Sequence, residues 1–242
     1  MGTNHMGRQS IRFPQPPVVR GFASVAGKKE REGPLGDQFT ATVQDTTFGE
    51  KSWERAERRM QQMTLELALE KAGLTDADLD AAFAGDLLNQ CIGSSFSLRN
   101  RGVPTLGLYG ACSTMAESLL LAAMSVSGGY ARTALAMTSS HFASSERQYR
   151  FPLGYGGQRT PTSQWTVTGA GAVLLGGGER GIRITAATIG SIVDRGICDA
   201  NNMGAAMAPA AFATLHAHFD DLHCAQGIDI PAKLQEIDRF VE

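Results

Sequence analysis

The sequence predicts a layered α/β fold. Short apolar runs that read as buried strands alternate with longer helical stretches. In the helical stretches apolar residues recur at three- and four-residue spacing. Glycine, at 28 of 242 positions, supplies the sharp turns between the runs.

In chain order, residues 1–20 read as a loose arm with a short strand near its end at Val18 and Val19. Residues 27–50, rich in Gly, Lys, Glu, Asp and Thr, read as a surface loop. From Lys51 to Ala72 the pattern is helical, with Trp53, Ala56, Met60, Met63, Leu67 and Leu69 near one face and Arg and Glu opposite. Gly73 ends that helix, and Thr75 with Asp78 has the spacing of a capping box. Ala81–Gly85 is a buried strand ending before an acid, and Asp86–Leu98 is the helix after it. Thr105–Tyr109 is a short strand, and Ser113–Ser127 is a helix apolar on nearly every side, which predicts burial. Ala131–Thr138 is a buried strand. Residues 139–163 are polar, aromatic and glycine-rich, the composition of a functional loop. Strands follow at Gln164–Leu175 and Ile182–Val193. The Ala-rich stretch Asn201–His218 is helical, with Asn201 and Asn202 as caps and Pro209 marking a kink or a later start. The tail places Ile228, Ile230, Leu234, Ile237 and Phe240 on one helix face after Pro231.

Composition excludes several function classes. The formal net charge is −2, which leaves no basic footprint for nucleic acid. No stretch approaches the roughly 20 apolar residues that span a bilayer. The cysteines, at 91, 112, 198 and 224, form no CxxC pair and have no zinc-ligand spacing to a histidine; Cys91, Cys198 and Cys224 read as inert reduced thiols. His216 and His218 stand at i, i+2 and point apart on a helix, so they and His223 form no metal site. Gly176–Gly178 lacks the following Lys-Ser/Thr helix start of a phosphate loop.

The motif that carries chemistry is Gly107-Leu108-Tyr109-Gly110-Ala111-Cys112-Ser113-Thr114-Met115. A strand runs into a turn of small residues, and Cys112 then opens a helix. Unpaired backbone N–H groups at such a helix start favour anions and thiolates. The alternative is a buried structural cysteine at a strand–helix junction.

This turn resembles the nucleophile elbow of thiolases and ketoacyl-synthases. The wider sequence resembles one branch of that superfamily, the stage V sporulation protein AD family. The likeness lies in Gly107–Met115, in Ser139–Phe142 followed by Ser145–Pro152, in Tyr155–Thr162 running into Gln164–Ala172, and in Asp199–Ala210. With the opening around Phe22–Gly33 it covers residues 10 to 215.

The resemblance implies a thiolase-like αβαβα fold whose second half is incomplete: residues 1–20 as an N-terminal arm, 21–180 as the first half and 181–242 as part of the second. It further implies a protein that binds dipicolinic acid (pyridine-2,6-dicarboxylate), with or without calcium, for uptake into the developing spore. It implies membrane partners of the same sporulation group, a homodimer paired through central strands, and a forespore or spore location, cytoplasmic or peripheral on the inner membrane. No cofactor, resident metal or nucleic-acid partner is implied.

A flat dianion asks for guanidinium or backbone N–H donors at both ends and an aromatic slot between them. The residues available are Cys112 and Ser113 at the helix start, then His141, Arg147, Arg150, Arg159 and Trp165 from the 139–166 segment. Ordinary surface pairing is the competing reading for each arginine. Two other functions remain open at this stage. One is acyl transfer through Cys112, which lacks visible histidine partners. The other is an assembly role without a ligand.

Overall fold

The structure, a computed structural model, describes residues 4–149, 166–198, 202 and 204–222. It divides into two compact units, Pro17–Arg183 and a second built from Met1–Pro16 with Ile184–Glu242.

The larger unit is a six-stranded mixed sheet. In chain order it contains β3 (Val18–Ala26), α1 (Lys28–Arg31), β4 (Ala41–Thr42), α2 (Trp53–Ala72), β5 (Ala81–Gly85), α3 (Ile92–Leu98), β6 (Thr105–Leu108), α4 (Thr114–Ser127), β7 (Thr133–Ser140), α5 (Phe142–Tyr149) and β8 (Gly169–Gly176). The strand order is β4-β3-β8-β7-β5-β6. β8 runs antiparallel to both β3 and β7, whereas β5 pairs in parallel with β7 on one side and β6 on the other. The expected layered α/β fold is what forms.

Helix α2 obeys its sequence signals at both ends. The Ser52 side chain accepts the Arg55 N–H, and Gly73 closes the helix in the left-handed region at φ 64°. The capping box of Thr75 and Asp78 is also present. Leu65, Ala68 and Leu69 of α2 meet Ala82 and Ala84 of β5, Leu135 and Met137 of β7, Ala172 and Leu174 of β8, Ala23 of β3 and Leu98 of α3 in one buried cluster. Strand alternation sends Gly85 to the other face. There a β-carbon would meet the Leu108 carbonyl at 2.3 Å and Thr114 Cγ2 at 2.4 Å. Helix α4 therefore lies on the face opposite α2, giving helix, sheet and helix in layers.

Three expectations change. Helix α4 buries only Thr114, Ser118, Ala122 and Ala123; one side rests on the sheet, while Met115 and Leu119–Leu121 are part-exposed and Met124 is exposed among the described residues. The helix expected over Asp86–Leu98 is confined to Ile92–Leu98, because the Asp86 carboxylate captures the Leu88 and Ser94 N–H groups and bends the chain before it. The loop expected from Ser139 instead completes β7 and then forms α5; its Ser, Glu, Arg and Gln content masked a short helix. Residues 150–165 lie outside the described residues.

In the smaller unit β1 (His5–Met6), β2 (Ser10–Arg12) and β9 (Ala186–Thr188) form an antiparallel sheet. Residues read from sequence as a loose arm thus carry two short strands. The strand expected over Ile182–Val193 is confined to β9. Helix α6 (Gly204–Leu222) carries Pro209 inside it. The Asp221 carboxylate accepts the Arg8 and Gln9 N–H groups, and His218 Nδ1 lies 2.7 Å from Thr188 Oγ1. His216 pairs with Asp220. No metal-holding cluster of His, Cys, Asp or Glu occurs among the described residues. The tail helix, His223 and Cys224 lie outside them.

Candidate functional site

Three parallel strands end together. Gly85 of β5 is in register with Leu108 of β6 on one side and with Thr138 of β7 on the other. At an interstrand spacing of about 4.8 Å, the outer two ends stand roughly 10 Å apart. Loops leaving the carboxyl ends of parallel strands are the common place for a site in α/β proteins.

The first loop is the cysteine turn. After β6, the chain makes one 3₁₀ turn at Ala111–Ser113 and enters α4. Ala111 sits at φ 48°, a left-handed conformation that a non-glycine residue adopts under local constraint. Hydrogen bonds supply that constraint: Ser113 N–H and Oγ–H both donate to the Gly110 carbonyl, and Thr114 Oγ–H donates to the Ala111 carbonyl. Thr114 Oγ1 in turn accepts the Gly110 N–H. Cys112 and Ser113 are both exposed. Cys112 is thus presented outward at the head of a helix rather than sealed in the core.

The middle loop follows β5. Gln90 and Cys91 are consecutive left-handed residues, at φ 59° and 53°. The buried Cys91 thiol donates to the Leu108 carbonyl at 3.2 Å, tying this loop to the base of the cysteine turn. Burial pushes its pKa up, consistent with a structural thiol.

The third loop follows β7. His141 is fully buried, with Nε2 donating to the Thr46 carbonyl at 2.8 Å and Nδ1 accepting the Ala143 N–H at 3.2 Å. Both nitrogens are spent on backbone, and burial holds its pKa below the ordinary value, so it is neutral. Its ring stacks on Phe142 and lies against Trp53. Its carbonyl accepts the Ser145 N–H and Oγ–H at the start of α5.

Beneath these loops runs a buried polar chain. Asp86 Oδ2 accepts Ser94 Oγ–H at 2.5 Å. Gln61 Nε2 donates to Ser94 Oγ at 3.3 Å and to Ser139 Oγ at 2.7 Å. Ser139 Oγ–H and Ser144 Oγ–H donate to the two oxygens of Glu57, at 2.8 and 2.6 Å. Ser97 donates to Gln61 Oε1 at 2.6 Å. Glu57 is fully buried, and desolvation pushes its pKa up to about 7, opposed by the two serine hydroxyls.

Of the residues expected at a site, the structure brings the Cys112–Ser113 turn and the His141–α5 segment to one end of the sheet. His141 stands there as a buried support. Arg147 lies within α5, with its side chain outside what is described; Arg150, Arg159 and Trp165 are outside the described residues. Sequence reading missed Glu57, Gln61 and Asp86. The signal was present in α2: Glu57 and Gln61 fall at i, i+4 beside Ala56, Met60 and Thr64, inside the stripe that turns inward.

The chain matches the profile of the family described as Stage V sporulation protein AD (SpoVAD) over residues 7–229. The stage V sporulation protein AD of Bacillus subtilis (strain 168) is 45% identical over 217 residues, which is 90% of this chain and 64% of that protein. Among solved structures, the E117D variant of Xanthomonas campestris OleA bound with cerulenin superposes with a TM-score of 0.60 at 14% identity, covering 93% of this chain and 75% of OleA. A priming β-ketosynthase from the R1128 polyketide pathway covers 73% of this chain and 53% of its own, at 16% identity and a TM-score of 0.45. The OleA likeness carries the fold alone: this is a thiolase-like α/β architecture. By the extent of its sequence match and the identity of its relative, this chain belongs to the stage V sporulation protein AD family.

Proposed function

We propose that this chain serves sporulation by binding dipicolinic acid, free or as its calcium chelate, at the strand ends that carry Cys112. The observation that carries the reading is the outward-facing Cys112–Ser113 turn at the start of α4, which shares its end of the sheet with the segment leading into Arg147, Arg150, Arg159 and Trp165. Backbone N–H groups at the helix start meet one carboxylate and guanidinium groups the other, while Trp165 offers a flat face for the ring. Membership in a sporulation family supports the setting, namely the forespore and membrane-protein partners of the same stage. Among the described residues no helix is long and apolar enough to cross a membrane.

The test is calorimetric titration with dipicolinate, with and without calcium, on the parent protein, Cys112→Ala and Arg150→Ala. Binding by the parent and at least tenfold weaker binding by Arg150→Ala are expected; an absence of binding heat in the parent rejects the reading.

A second reading, acyl transfer through Cys112, draws on the exposed thiol at a helix start and on the fold shared with OleA. Mass spectrometry after incubation with an acyl-coenzyme A thioester decides it. A stable acyl adduct on Cys112, absent from Cys112→Ser, favours the enzyme.

We also infer a homodimer, and strand β6 supports that reading. This strand closes one edge of the sheet, and Leu106 and Tyr109 are exposed beside it, as are Ile92 and Phe96 of the neighbouring α3. An apolar edge of this kind is a pairing surface. A second copy adding its β6 antiparallel to the first would cover it.

A further inference from the structure

Thr114 stands where the cysteine turn becomes α4, and it is buried. Its methyl and its hydroxyl have separate places. The methyl lies against the end of β5, where a β-carbon on Gly85 would meet Thr114 Cγ2 at 2.4 Å. A β-branched side chain held there has little rotamer freedom, and its hydroxyl is directed into the turn. Thr114 Oγ–H donates to the Ala111 carbonyl at 2.8 Å, and Oγ1 accepts the Gly110 N–H at 3.2 Å. One hydroxyl thus holds the chain on both sides of Ala111, the residue at φ 48°. A left-handed alanine is disfavoured because its β-carbon crowds the carbonyl that follows, so the turn depends on bonds of this kind.

The same bonds fix which way the peptides of the turn face. The Ala111 carbonyl accepts the Thr114 N–H as well as the Thr114 hydroxyl. The Gly110 carbonyl accepts the Ser113 N–H and Oγ–H. Both carbonyls are therefore turned into the helix start. In a planar trans peptide the N–H points opposite to the C=O, so the Ala111 and Cys112 N–H groups point away from α4. We propose that Thr114 is the positioning residue of this site: its hydroxyl keeps the carbonyls of the turn inward and the N–H groups turned toward the ligand beside the Cys112 thiol. This rests on the dipicolinate reading and names the residue that makes the turn prefer an anion. Without the hydroxyl, the Ala111–Cys112 peptide is free to rotate. That rotation relieves the left-handed alanine and brings a carbonyl oxygen to the side where a carboxylate must sit.

The experiment compares the rates at which Cys112 is alkylated by iodoacetate, an anion, and by iodoacetamide, its neutral counterpart, followed by peptide mass spectrometry. The ratio of the two rates reads the preference of the turn for negative charge separately from the exposure of the thiol. Exposed Cys198 supplies a reference within the same chain. Thr114→Val keeps the shape and loses the hydroxyl; its ratio at Cys112 is expected to fall about threefold, with that at Cys198 unchanged. Calorimetric titration is expected to show dipicolinate binding about tenfold weaker than in the parent. Thr114→Ser keeps the hydroxyl and is expected to retain the ratio and the affinity of the parent, which a role in packing alone would not allow. Thr114→Ala takes the place of the valine variant if circular dichroism shows the latter unfolded. An unchanged ratio without the hydroxyl, an equal fall in Thr114→Ser, or undiminished dipicolinate binding without the hydroxyl overturns the proposal. A fallen ratio in a protein whose parent form binds no dipicolinate rejects that ligand and upholds the positioning role of Thr114.

Discussion

Glu57 accepts hydrogen bonds from Ser139 and Ser144 where water does not reach, so its charge is costly to bury. Its folded value of about 7 lies above the ordinary 4.5. The neutral acid therefore favours the folded state; that contribution is fully present below about pH 4.5 and is lost as pH rises through 7. Denaturant unfolding of the parent is expected to show stability about 2 kcal/mol lower at pH 8 than at pH 5.5 from this group, and Glu57→Gln is expected to remove that difference. Gly85 is a second decisive residue. A methyl group there would press on the Leu108 carbonyl and Thr114 under the cysteine turn. Gly85→Ala is expected to cost about 1–3 kcal/mol and to change the rate at which Cys112 reacts with a thiol reagent, measured against the parent. Gly85 does not announce itself in sequence, since a glycine after four residues of strand is ordinary; Glu57 does so only through its i, i+4 spacing to Gln61 within the inward stripe of α2.

At the scale of elements, the segments with strong local signals matched expectation. Helix α2 begins at Ser52 and stops at Gly73 because caps are local chemistry. Ser52→Ala is expected to lower stability by about 1 kcal/mol in denaturant unfolding. Strand β5 is apolar enough to read directly, and its boundaries are as expected. Elements whose boundaries depend on distant partners were displaced. Helix α3 starts late because Asp86 holds the Leu88 N–H ahead of it and the Ser94 N–H in its first turn. Strand β7 extends to Ser140 because β8 continues to pair with it there. Edge strand β6 is short and exposed, and its partner is proposed to be another copy. Leu106→Lys places a charge on that edge and is expected to shift the protein to monomer in sedimentation velocity; an unchanged sedimentation profile would locate the dimer elsewhere.

For the whole molecule, the larger unit is one mixed sheet between α2 with α3 on one face and α4 on the other, and α4 is only half covered among the described residues. The chain spans 64% of the length of the Bacillus subtilis protein it matches. The smaller unit joins the two ends of the sequence: β2 pairs with β9, and Asp221 of α6 holds the backbone at Arg8 and Gln9. Periodicity near the N-terminus could not reveal this, since the partners lie about 180 residues away in sequence.

By itself, the sequence determined the layered α/β class, the caps of α2, the strand–turn–helix around Cys112 and membership in the sporulation family. These follow from local backbone chemistry and from long, specific residue runs. Only the tertiary structure decided that Cys112 faces outward, that His141 is a buried support, and that Glu57, Gln61, Ser139 and Asp86 meet under the strand ends. Burial and hydrogen-bond partnership depend on strand register and on which helix covers which face, and residues far apart in the chain settle both.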